Sequence, residues 1–234
     1  MESNTKVRIK FSKHGPTKYI GHLDMLRYFQ KSMRRAEIDI AYSTGFSPHQ
    51  IMSFAYPLGV GMETDGDYFD IEMYSVPDTT QVKDALNAVM VPGIVIENVI
   101  ILPQNCGNAM ASVAAASYTI TKLNGSDFEK ELIDGCQRLF DSKEILVEKV
   151  TKKNTLTVDI RPNIYELSMD SKVLRCKVDA SSAGNVKPIT VLQALAESVG
   201  VDINEYELQI TRLETYHYIG EGAKKHLAPM DCFD

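Results

Sequence analysis

The sequence predicts an α+β protein made of two ferredoxin-like halves in tandem, each a split βαβ unit with an antiparallel sheet. Three observations predict it. Short apolar or alternating stretches of strand length are separated by amphipathic stretches of helix length. The order strand, helix, strand, strand, helix, strand runs through residues 6–102. A similar order, with an extra strand or two, returns over residues 118–213. The expected division is an N-terminal half at 1–104, a connection at 105–116, a C-terminal half at 117–213 and a tail at 214–234.

Each element has a local reason. Lys6, Arg8 and Lys10 alternate with Val7, Ile9 and Phe11, the period of a half-buried strand. His14, Gly15 and Pro16 then turn the chain. A helix is predicted over 21–36, because Leu23, Leu26, Phe29, Met33 and Ala36 recur at spacings of three and four. Asp24 falls in its first turn, where negative charge suits the positive helix end. Residues 42–50 (YSTGFSPHQ) are rich in turn formers. Strands follow at 51–56, ended by Pro57, and at 66–73. A helix at 80–89 turns Val82, Ala85, Leu86 and Val89 to one face, and 94–102 reads as a buried strand. Residues 103–116 are small and polar without a clear period, as a connection would be.

In the second half, strands are predicted at 118–122, 145–150, 155–160, 165–169, 173–178 and 207–213. Helices are predicted at 126–140 and 188–199, with Pro188 placed in the first turn of the latter. Residues 214–234 contain Gly220, Gly222 and Pro229 and leave a loose tail and a docked extension both open.

Bulk properties exclude several classes. No run of eighteen apolar residues exists, so no membrane-spanning helix is expected. The polar first five residues lack the apolar core of a secretory signal, which points to a cytoplasmic protein. Cys106, Cys136, Cys176 and Cys232 are far apart with no CxxC pair, so free thiols are expected, with no metal site and no cofactor. GxSxG, HExxH, GxGxxG and Walker A motifs are absent.

Charge is unevenly distributed. The chain carries a net −6, yet residues 6–49 hold nine Lys and Arg against three acids, a local +6 that leaves −12 on the remainder. That asymmetry points to an anionic partner for the N-terminal part. Arg27, Lys31, Arg34 and Arg35 offer cations for phosphates, and Tyr42 and Phe46 offer rings for stacking bases. With Ser43 and His49 they form the expected binding set. His22 and His49 are the catalytic candidates, because a metal-free nuclease needs a general acid, a general base and a cation beside the phosphate.

One stretch is distinctive as a string. GHLDMLRYFQKSMRRAEIDIAYSTGFSPHQIMSFAYPLGVG, followed by GDYFDIE, resembles the bacterial radical-SAM-linked family, a domain of unknown function. The resemblance falls on His22, Leu23 and Asp24; on Lys31, Arg34 and Arg35; on Tyr42, Ser43, Gly45, Phe46, Pro48 and His49; and on Ser53, Phe54, Pro57, Leu58, Gly59 and Gly61. Gly21, Thr64 and Asp67 depart from the family's serine, serine and glutamate. The resemblance implies a radical SAM protein as partner, in RNA or ribosome-related modification, and no established activity. This chain lacks a CxxxCxxC triad, so radical chemistry would belong to that partner. The expected function is an accessory, substrate-binding protein that presents RNA or another anionic substrate. The alternatives are a metal-independent endoribonuclease resembling CRISPR-repeat-processing enzymes, and a structural adaptor without nucleic acid contact.

Overall fold

A strand with apolar residues at every second position needs an apolar partner on one face only. A computed structural model shows what each face meets; it describes residues 4–104, 106–150 and 154–233. Residues 1–3 of the polar N-terminal stretch and Asn105 of the connection lie outside that description. In chain order the elements are β1 (Thr5–Lys13), α1 (His22–Arg35), β2 (Met52–Phe54), β3 (Glu63–Met73), α2 (Thr79–Asn87), β4 (Ile94–Ile101), α3 (Ala109–Ser112), β5 (Val113–Lys122), α4 (Lys130–Phe140), β6 (Leu146–Val150), β7 (Thr155–Asp159), β8 (Ile164–Met169), β9 (Val173–Asp179), α5 (Pro188–Val199), β10 (Leu208–Ile219) and β11 (His226–Pro229). The protein is thus mixed α and β, mostly antiparallel in its pairing, with few helices. It divides into two compact units, Met1–Val113 with Glu214–Asp234, and Ala114–Leu213.

In the first unit the strand order is β4-β1-β3-β10, with β2 on β3 and β11 on β10. β1 runs antiparallel to β3, with Val7 opposite Ile71 and Ile9 opposite Phe69. Val7, Ile9 and Phe11 point to the face that α1 and α2 cover, and meet Met25, Phe29, Met33, Val82 and Leu86 there. Phe29 is the hub of that core. Its ring lies 4.6 Å from Phe69, 5.1 Å from Phe11 and 5.9 Å from Phe54. Such offset and edge contacts add about 0.5–1.5 kcal/mol per pair beyond burial.

Four expectations are corrected here. Leu23 is 65% exposed, and Met25 takes the inward place; the two lie about 200° apart round the helix, so only one can face the sheet. The strand expected to stop at 213 runs on to Ile219, and β11 pairs back on it from Tyr216↔Pro229 to Ile219↔His226. Its inward residues there include the buried polar Thr215 and His217, so no hydrophobic period marks it. The connection holds a short helix, α3, whose start is capped by Asn108 Oδ1 accepting from Met110 N at 2.9 Å. β5 then begins at Val113, ahead of the expected 118, because the buried Ala114, Ala115 and Ala116 give little hydrophobic signal.

In the second unit the order is β10-β5-β9-β8, with Tyr118 opposite Cys176 in the β5–β9 pair. β6 and β7 form a separate hairpin with Val147 opposite Val158. α5 spans the expected 188–199 and ends on Gly200, whose φ of 71° is the left-handed cap conformation. α4 packs on α5 through Gly135, where an added Cβ would stand 2.5 Å from Val199 Cγ1. α4 starts at Lys130, later than the expected 126.

The Phe29 hub yields a stability prediction. Phe29→Ala should lower the unfolding free energy by about 3–5 kcal/mol, because it empties a site that three rings surround. Urea unfolding followed by circular dichroism measures it, and a loss below about 1 kcal/mol would contradict the packing described.

Candidate functional site

α1 carries its cations outward. Arg27, Lys31 and Arg34 occupy positions i, i+4 and i+7 and are all exposed, so they share one face. Arg27 Nη1 lies 3.1 Å from Asp24 Oδ1, both side chains about 70% exposed; such a pair contributes little in water. Among the described residues Lys31 and Arg34 form no ion pair. Arg35 is held differently: Nη2 donates to Ser32 Oγ at 2.9 Å and to the Val89 carbonyl at 3.2 Å, and the guanidinium lies over the Tyr28 ring.

The 42–50 loop closes on itself. Tyr42 bridges Gln50, and Ser43 N donates to the His49 carbonyl at 2.8 Å. His49 N donates to Ser43 Oγ at 3.1 Å, and the His49 Nδ1 lies 2.9 Å from the same oxygen. Gly45, at φ 117°, allows the tight tip. These constraints leave Phe46 wholly exposed, at 112%, and Tyr42 partly so. Beside the loop is a groove of about 390 Å³, bounded by Lys6, Ser43, His49, Gln50, Ser53 and Glu72 among others.

The histidines separate. His22 packs edge-on against Phe54, ring centroids 5.1 Å apart, and lines a cavity of about 10 Å³ with the buried Lys13 and Asp67. That volume holds about one water. None of its lining residues is shared with the groove at His49. His14 faces Glu63 at 3.3 Å and Asp65 at 2.9 Å.

The polar face of β1 is not a basic surface. Arg8 is buried, donating to Asp70 at 2.7 and 2.9 Å and to the Met230 carbonyl at 2.8 Å. Lys10 Nζ pairs with Glu214 Oε2. Tyr68 Oη lies 2.7 Å from Glu214 Oε1 and 2.9 Å from Asp231 Oδ1, while Asn98 donates to Asp231 Oδ2 at 2.8 Å. Burial and the two neighbouring carboxylates push the Tyr68 phenol far up. Burial raises Glu214 despite Lys10. Burial also pushes Asp231 upward, but its bonds from Asn98 and Tyr68 and the charge of Lys10 outweigh that and leave it lowered. One phenol carries one proton. Tyr68 therefore donates to Glu214 Oε1 or to Asp231 Oδ1 at any one time. The sequence reading missed Tyr68, Asn98, Glu214 and Asp231. The available signal was the alternation in GDYFDIE, which sets Tyr68 and Asp70 on the face opposite Phe69 and Ile71.

Fold and site together define a mixed α and β protein with an exposed cationic helix face and an aromatic-tipped polar loop in its first unit. Its family can be stated: the chain belongs to the bacterial family described as "uncharacterized protein conserved in bacteria (DUF2344)", whose model matches residues 6–188. No curated protein matches the chain. Among the described residues no three His, Cys, Asp or Glu side chains gather as a metal would require, and no helix is long and apolar enough to cross a membrane.

The Glu214 network predicts a pH dependence. A carboxyl whose folded pKa is raised adds stability in full below its unfolded pKa and loses it as pH rises through the folded value. Asp231, lowered, adds stability above its unfolded pKa and loses it as pH falls through the folded value. The urea midpoint should therefore decline as pH climbs above the ordinary glutamate range. Glu214→Gln should lack that decline, and a variant with the wild-type profile would contradict the assignment.

Proposed function

We propose that this protein is an accessory, substrate-binding protein that presents RNA, through its phosphate backbone, to a radical SAM enzyme. The observation that carries RNA binding is the exposed face of α1, where Arg27, Lys31 and Arg34 meet solvent with Asp24 the acid beside them. Cations at such spacing suit successive phosphates, and the exposed ring of Phe46 suits an unstacked base. The radical SAM partner rests on the resemblance of the stretch from His22 to Gly61. The strand orders support reading each unit as a ferredoxin-like split βαβ module: β4-β1-β3 with β2 on β3, and β10-β5-β9-β8 with the β6–β7 hairpin inserted. Sheets of that kind serve as RNA platforms, though fold alone carries no function.

The test is the binding of single-stranded RNA across a salt series. Wild type should show a steep loss of affinity with salt, by about 0.7 in log–log slope per phosphate contacted. Arg27→Ala/Lys31→Ala/Arg34→Ala should bind at least about tenfold more weakly with a shallower slope and an unchanged circular dichroism spectrum. Phe46→Ala should cost about 1–3 kcal/mol of affinity with the slope kept. No RNA binding by wild type would leave the adaptor alternative standing. RNA cleavage by wild type, abolished in His49→Ala, would favour the endoribonuclease.

A further inference from the structure

We infer that β7, the outer strand of the β6–β7 hairpin, pairs with β7 of a second copy of this chain about a two-fold axis at Thr157. This goes beyond the proposed function and does not depend on it.

The argument starts from the ladder. Ile160 N donates to the Ile145 carbonyl at 2.9 Å, and the register runs on without a shift through Val147↔Val158 and Lys149↔Leu156. In an antiparallel pair, opposed residues alternate between those that exchange main-chain bonds and those that do not. Leu156 and Val158 therefore turn their main-chain groups to β6, and Thr155, Thr157 and Asp159 turn theirs away. All five residues of β7 are exposed, and among the described residues no main-chain bond reaches that outer edge. Two strands alone are marginal in water, and further strands give a sheet independent stability. The end strands β4 and β8 are blunted: Glu97 is an extra residue in β4 between the partners of Lys10 and Phe11, and Tyr165 is one in β8 between the partners of Val178 and Lys177. Such bulges turn an edge away from new partners. β7 has no bulge, no lysine and no proline.

A second copy matches this edge in backbone, packing and charge. The outward residues are centred on Thr157, so an identical strand run antiparallel sets Thr157 opposite Thr157 and Thr155 opposite Asp159. Each such pair exchanges two main-chain bonds, donor to acceptor. Leu156, 53% exposed, then lies opposite Val158, 37% exposed, and the two cover each other on one face. Asp159 is the single charge on the strand, and it meets the Thr155 hydroxyl, which can donate to it. The outer edge of β6 lacks that match. Its outward residues are Leu146 and Glu148, and the same operation about Glu148 would set two carboxylates opposite each other. α5 also lies beside β6. The contact is therefore self-complementary and closes as a dimer, with no second edge on which a filament could grow.

The experiment is sedimentation equilibrium of the full chain over a dilution series, for wild type and Thr157→Pro. Wild type should show a monomer–dimer equilibrium. Thr157→Pro removes a main-chain donor that points away from β6. The dimer should then weaken about tenfold or more, the worth of the two N–H bonds lost per dimer. A wild type that stays monomeric at millimolar concentration would overturn the inference. So would a dimer of unchanged strength in a folded Thr157→Pro. Should Thr157→Pro fail to fold, single cysteines decide, placed in a Cys106→Ser/Cys232→Ser background that removes the two native thiols outside the core. Opposed Cα atoms in a bond-exchanging pair stand about 5.5 Å apart, within disulfide reach. Thr157→Cys should therefore cross-link to a dimer under mild oxidation. Thr155→Cys faces Asp159 of the other copy and should cross-link much more slowly. Equal rates for the two variants would overturn the pairing.

Discussion

A guanidinium cannot shed its charge, so burying one requires partners that arrive with the fold. Arg8, at 1% exposure, has them: both oxygens of Asp70, the carbonyl of Met230 and the ring of Phe233 at 5.7 Å. Those contacts tie the first strand to its neighbour and to the last residues of the chain. Removing one member of such a buried set typically costs about 3–5 kcal/mol, because the other charge is left unpaired. The first unit therefore needs both ends of the polypeptide, and Glu214–Asp234 belongs to it for a physical reason.

The two faces of β1 follow from this. Val7, Ile9 and Phe11 join the apolar core beneath the helices. Arg8 and Lys10, on the other face, join a network with Asp70, Tyr68, Glu214 and Asp231. The network takes Arg8 and Lys10 out of contention as ligands for an external anion. Open to solvent are Lys6 at the start of β1 and the helix set, Arg27, Lys31 and Arg34, with Arg35 exposed but held by Ser32 and Val89. A charge asymmetry that covered residues 6–49 in the sequence thus narrows chiefly to α1.

The loop before β2 follows the same logic on a smaller scale. Its backbone and its Ser43–His49 bonds satisfy each other, so the loop holds its shape without help from a ligand. Among the described residues Gln50 is the exception, buried with its amide oxygen unmet. His49 lies in the groove wall, whereas His22 serves the aromatic core against Phe54. Two residues that look alike in sequence are assigned different surroundings by which element carries them: a helix start in one case, a loop end in the other.

Local features were legible without coordinates. The period of Val7, Ile9 and Phe11, the α5 span opened by Pro188, the turn chemistry of 42–50 and the outward face of Arg27, Lys31 and Arg34 all depend on neighbours a few residues away. Backbone geometry converts such spacings directly into faces. Tertiary structure alone decided which polar groups go inside. Arg8 meets Met230 across 222 positions and Tyr68 meets Asp231 across 163, and no periodicity reports a partner at that separation. Burial of a charge is a property of the pair, so it becomes visible only when both members are in place.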